Sequence, residues 1–218
     1  MPAPVPVAII SHGYTSNRFG EVAGFSGYFA QHGLATIGME CPSHGLTLSD
    51  TERVLADVLL ADRGVLPFGE ASIRSRGFDM NNDDRFDSGA DFWTAYVFHT
   101  RDIVRQCALD HMALIRLINS FDGERTWGEN DWGMDPAGLA GDFDGDGYVD
   151  IGKGSKITMI GGSLGGIMAT ILGGLDPAVD AVAPIAGGGG LGAIGSRSMQ
   201  GGVREAVILR VMAPIFTG

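Results

Sequence analysis

KITMIGGSLGG, residues 156–166, is the stretch that decides how this chain folds. Residues 156–160 form a short run rich in β-branched side chains and read as a buried strand. The strand runs into Gly161-Gly162-Ser163-Leu164-Gly165, which is G-x-S-x-G, the pattern of a nucleophile elbow. That motif needs a strand before it and a helix after it, and the apolar residues 164–173 supply the helix. Glycines flank the serine because side chains would collide in so tight a turn. Ser163 is therefore the candidate nucleophile. The backbone N–H of Leu164, first in the helix, is a candidate oxyanion donor, and the helix dipole adds to it. The competing reading of Ser163 is a helix-capping residue in a Gly-rich turn.

Working outward, residues 5–11 are a continuous apolar run, as expected of a strand buried on both faces. It ends in the loop His12-Gly13-Tyr14-Thr15-Ser16-Asn17. Residues 25–32 predict a helix closed by Gly33, and residues 34–39 a second apolar strand. Strand, helix, strand at this spacing is a βαβ unit, which implies a parallel sheet. A strand ending in His-Gly lets the backbone approach a substrate, so the N–H of Tyr14 is the candidate second oxyanion donor. The imidazoles of His12 and His44 are read as structural.

Farther along, residues 51–60 predict a short helix and residues 64–91 an irregular excursion. Residues 92–120 predict a long helix whose stripe runs through Ile103, Cys107, Leu114 and Ile118. Phe92, Trp93, Tyr96 and Phe98 suit core positions or the wall of an acyl pocket. Residues 122–154 are a Gly/Asp/Trp-rich insertion. Residues 178–184 predict another strand, 187–190 a flexible loop, and 203–212 a helix suited to a lid. The expected class is α/β: one domain over residues 1–218, a mostly parallel sheet flanked by helices, with 122–154 as a loop insertion.

Composition narrows the partners. The chain has 218 residues, 44% hydrophobic and 19% charged, a globular balance with enough length for a core. A net charge of −11 argues against nucleic acid and anionic membrane surfaces, which reward positive patches. Residues 157–175 carry no charge and have GxxxG spacing, but the glycines dilute their hydropathy, so no transmembrane segment is expected. The first residues lack a basic start and a long apolar stretch, so no signal peptide is expected there. Cys41 and Cys107 fit no metal spacing; a disulfide and two buried thiols both remain open.

The chain resembles the α/β-hydrolase superfamily. The resemblance rests on His12-Gly13-Tyr14 after the first strand, Pro42-Ser43-His44-Gly45 after the second, and Gly161 to Gly165 at the elbow. It implies a serine esterase or lipase-like enzyme that cleaves small-molecule or lipid carboxylic esters by a Ser-His-acid mechanism, through an acyl-enzyme. Ser163 takes the nucleophile's place, and Tyr14 and Leu164 those of the oxyanion donors. In that fold the acid and then the histidine follow the nucleophile. Here the five histidines (His12, His32, His44, His99 and His111) all precede Ser163. The downstream acids are Asp176, Asp180 and Glu205, none well placed. The expectation is a hydrolase-like core lacking its C-terminal strands, part of a larger enzyme. The alternatives are a non-catalytic calcium-binding or interaction module on a degenerate fold, and a base recruited from His12, His44 or His99.

A second pattern lies in the insertion: Asp142-Phe143-Asp144-Gly145-Asp146-Gly147-Tyr148-Val149-Asp150. Alternating aspartates place hard oxygen ligands at loop positions 1, 3 and 5, and Gly147 permits the turn at position 6. Tyr148 offers its carbonyl, and Asp150 stands at position 9. The expected ion is a structural Ca²⁺. Lys153 stands where a bidentate Glu would complete an EF-hand-like loop, so a further ligand must come from elsewhere. Extracellular calcium would fill even a weak site, which points to a secreted or cell-surface protein. Asp79-x-Asn81-x-Asp83 with Asp87 has similar spacing but lacks the position-6 glycine, and reads as a solvated acidic loop.

Overall fold

A computed structural model of the chain describes residues 4–64, 66–126, 138–199 and 203–216. Its centre is a four-stranded, all-parallel sheet in the order β2-β1-β3-β4. The strands are β1 (Val7–Ser11), β2 (Ala35–Met39), β3 (Ile157–Gly162) and β4 (Ala181–Ile185). The helices are α1 (Arg18–Gln31), α2 (Asp50–Asp62), α3 (Leu66–Ile73), α4 (Val97–Asn119), α5 (Leu164–Leu175), α6 (Leu191–Arg197) and α7 (Val203–Phe216). The α/β class read from the sequence is the class observed.

Alternation along the strands sets the two faces of the sheet. Val7, Ile9, Ile157 and Met159 turn to one face, where Ile115 and Ile118 of α4 and Ala169 and Leu172 of α5 complete a buried cluster. A second cluster continues it toward the strand ends through Cys41, Phe92, Ile103, Cys107, Leu164 and Met168. On the opposite face α1 approaches β2 so closely that a side chain on Gly38 would meet Arg18 and Val22. All five β4 residues are exposed, Ile185 by 60%. Among the described residues β4 pairs only with β3.

Local chemistry accounts for where the observed elements depart from expectation. The first helix begins at Arg18 rather than residue 25, because Asn17 caps it by accepting from the Gly20 N–H at 2.9 Å. Gly20 and Gly24 hid this half of the helix, since glycine lowers helix propensity. α2 carries a full capping box between Ser49 and Glu52. α3 falls in the stretch read as irregular chain, and α6 in a stretch to which no element was assigned; both helices are short. The last strand is shifted to Ala181–Ile185. Residues 127–137 of the 122–154 insertion lie outside the described residues. Among the described residues no helix is long and apolar enough to cross a membrane.

Candidate active site

The parallel ladder brings the chemistry together. Ser11 ends β1 opposite Gly161 of β3, and Gly162 of β3 stands opposite Ile185 of β4. The loops that leave these strands therefore share one edge of the sheet, the carboxyl edge where open α/β sheets bind ligands.

Ser163 sits in a backbone conformation that non-glycine residues rarely adopt, with φ 53° and ψ −112°. Its N–H donates to the Ile185 carbonyl at 2.9 Å, which fixes the elbow to the end of β4. Its side chain is exposed and makes no capping bond to α5. The helix-cap reading of this serine thus fails. The turn is as tight as the motif implies: a β-carbon on Gly165 would overlap the Ser11 carbonyl oxygen, and one on Gly161 the Gly165 backbone. Leu164 opens α5, so its N–H belongs to the first turn, whose donors lack intrahelical acceptors. A β-carbon on Gly13 would stand 3.8 Å from that of Ser163, so the loop after β1 runs directly against the elbow. Tyr14, Ser163 and Leu164 line one cleft of about 420 Å³. Phe92, Trp93 and Ile167 line it too.

The sequence missed the far wall. Ala186, with φ 51°, and Leu191 and Ile194 of α6 also face the cleft. The signal was there in the apolar pair Leu191 and Ile194, three residues apart after a glycine run. Gly190 supplies the helix start with φ 76°.

The histidines mostly hold loops. The His12 Nδ1 lies 2.9 Å from the Gly13 carbonyl oxygen, which only accepts, so Nδ1 carries the proton. Nε2 then accepts from the Cys41 N–H at 3.1 Å, and Glu40 Oε1 lies 2.9 Å away. His44 likewise places Nδ1 2.9 Å from the Pro42 carbonyl, and burial pushes its pKa down to about 4. Burial also lowers the pKa of His111, whose Nδ1 is 2.7 Å from the Cys107 carbonyl. His99 differs. Its partly exposed ring is 3.2 Å from Asp91 Oδ2, while Ser43 donates to Asp91 Oδ1. Among the described residues no histidine hydrogen-bonds Ser163 Oγ. Downstream, Asp176 sits buried at the end of α5, Asp180 pairs with Lys156 at 2.8 Å, and Glu205 meets Arg204 at 2.9 Å. Cys41 and Cys107 form a disulfide that ties the loop after β2 to α4.

In the acidic insertion, oxygen atoms of Asp142, Asp144 and Asp146 all lie within 4.8 Å of one another. Asp150 stands outside this group and accepts from the Phe143 N–H at 2.7 Å. The Tyr148 N–H donates to Asp146 at 2.9 Å. The loop at 79–87 repeats these bonds and adds others, among them Asn81 Nδ2 to Asp83 at 3.2 Å. Asp142 accepts from Gly145 and Gly147, and Asp79 from Asn82 and Asp84. Asp146 accepts from Tyr148, and Asp83 from Arg85. Asp87 reaches Met80 as Asp150 reaches Phe143. Asp84 adopts the left-handed conformation, φ 63°, that Gly147 holds at 88°. Only the 142–146 loop brings three carboxylates together among the described residues.

Compared with known proteins, the chain matches no family model, no curated protein and no solved structure.

Proposed function

We propose that this chain carries the nucleophile and oxyanion hole of a serine hydrolase acting on carboxylic esters, small-molecule or lipid. The observation that carries the reading is Ser163 itself. It is exposed, held in a strained turn at φ 53° and not used as a helix cap. Strain of this kind persists only where the surrounding structure enforces it, and it clusters at functional positions. In the first half-reaction Ser163 Oγ attacks the ester carbonyl and loses its proton to a base. The N–H groups of Leu164 and Tyr14 receive the developing oxyanion. The alcohol leaves with a proton, and water then releases the acid from the acyl-enzyme.

The base is the missing part. We assign it to polypeptide beyond the present residues, as in a larger enzyme of which this is the core. The exposed faces of β4 support this, because parallel strands are ordinarily covered on both faces. The lack of a histidine partner for Ser163 also favours the second reading, a non-catalytic calcium-binding or interaction module.

For the insertion we propose a structural Ca²⁺ held by Asp142, Asp144 and Asp146, with the Tyr148 carbonyl and Asp150 in the same loop. The fit rests on three hard carboxylates that converge at the surface and would repel one another without a cation. A bound cation would neutralise them and stiffen the segment leading into β3. The calcium loop and the buried disulfide together support a secreted or cell-surface location.

The test is butyryl transfer from p-nitrophenyl butyrate to Ser163, with imidazole added as the base. A Ser163→Ala variant is the control. Loss of the reaction in that variant supports the hydrolase; equal behaviour of the two proteins leaves the non-catalytic module.

A further inference from the structure

Beyond the Ser163 cleft lies a second cavity of about 360 Å³, walled by α4, α6 and α7. Trp93 and Leu191 line both spaces, so the two lie side by side with these side chains at their boundary. Val207, Ile208 and Val211 of α7 form the outer wall.

Thr100, Ser196 and Arg101, polar side chains at this cavity, each have a partner within the protein. Thr100 Oγ1 donates to the Phe92 carbonyl. Ser196 Oγ donates to the Gly192 carbonyl at 2.6 Å. The Arg101 guanidinium is held by Asp102 at 2.8 and 3.0 Å and lies over the Phe98 ring, 4.7 Å from its centroid. Most of the lining is aliphatic, so an occupant rich in donors and acceptors would give up more hydration than these few groups replace. An apolar chain has no hydrogen bonds to lose and gains contact with the aliphatic wall.

We propose that this cavity receives the acyl chain of the substrate, which makes the substrate an ester of a medium-length, unbranched fatty acid. The assignment rests on the serine-hydrolase reading of Ser163. The acyl group stays on Ser163 through both half-reactions, whereas the alcohol departs after the first. A side cavity that holds its occupant by apolar contact therefore suits the part that stays. Size agrees: small-molecule sites span about 300–1,000 Å³.

Gly192 gives the means to test it. It lies in α6, lines the cavity, and a β-carbon placed there meets nothing within 4 Å. Gly192→Phe should fill the space from the wall, and Gly192→Leu should fill part of it. Two readouts separate this assignment from the reading it rests on. The first is kcat/KM for p-nitrophenyl acetate, butyrate, hexanoate and octanoate, with imidazole present. It should rise about threefold to fourfold for each added methylene. The octanoate-to-acetate ratio should fall at least tenfold in Gly192→Phe and by less in Gly192→Leu. The second is decanoate binding to Ser163→Ala by titration calorimetry, which needs no catalysis. Binding that Gly192→Phe abolishes upholds the cavity even if no ester is cleaved, and the hydrolase reading alone then falls. A flat chain-length profile, or decanoate binding that neither Gly192 variant weakens, overturns the assignment.

Discussion

Ser11 stands opposite Gly161 in the β1–β3 ladder, and this pairing brings the first strand's exit loop against the serine elbow. The elbow can close only because Gly165 lets α5 start against the Ser11 carbonyl. Gly165→Ala should therefore cost about 3 kcal/mol, since the obstacle is backbone and cannot swing aside. Gly174→Ala, in the same helix, meets nothing within 4 Å. It should stabilise by about 0.5 kcal/mol through helix propensity alone. Urea unfolding of the two variants beside the parent checks both signs.

His44 makes stability depend on pH in a defined window. Burial first, then the neighbouring His12, lowers its pKa from 6.5 to about 4, against the pull of Pro42, Glu40 and Asp91. Between those values the unfolded chain takes up a proton that the native protein refuses. Stability should thus be full above about 6.5, fall as pH drops, and level off below about 4. The His44 share is on the order of 3 kcal/mol. Unfolding free energies at pH 7 and pH 4.5 should differ by clearly less in His44→Gln than in the parent.

The Cys41–Cys107 bridge spans 66 residues of chain. Closing a loop of that length restricts the unfolded state by about 4 kcal/mol in the chain-entropy model. Reduction with a phosphine should lower the unfolding free energy by an amount of that order. A Cys41→Ala/Cys107→Ala protein should be insensitive to the reductant. Equal stability of oxidised and reduced protein would show that the bridge does not constrain the chain.

Calcium should stabilise through the 142–150 loop. For a site of extracellular type, 5 mM Ca²⁺ should raise the unfolding free energy by about 1–2 kcal/mol. Asp144→Asn with Asp146→Asn should abolish the gain, and Mg²⁺ should not replace it. The measurement is the melting temperature with chelator and with calcium.

Much of this architecture was legible because it is written in local patterns. The apolar run through Val7 and Ile9 and the G-x-S-x-G turn at Ser163 each carry their own geometry, so the parallel sheet followed from them. α6 was hidden because seven residues are too few to show a period, and two of them, Gly192 and Gly195, weaken the helix signal. The cavity it walls was hidden with it, since only tertiary packing brings Leu191 to Trp93. The 79–87 loop lacks a glycine at Asp84, yet aspartate can adopt the left-handed conformation found there, so a similar turn forms without bringing three carboxylates together. The pairing of Cys41 with Cys107 needed the third dimension, because spacing alone permits either state.

Whether Ser163 is a nucleophile is tested most directly by the mass of the chain after incubation with p-nitrophenyl butyrate and imidazole. Solution imidazole stands in for the base that no described histidine provides to Ser163. A nucleophilic Ser163 should gain one butyryl group, found on the peptide that contains it, and that peptide should gain none in Ser163→Ala. An unmodified Ser163 peptide, with equal ester cleavage by parent and variant, would contradict it and leave the chain a non-catalytic module.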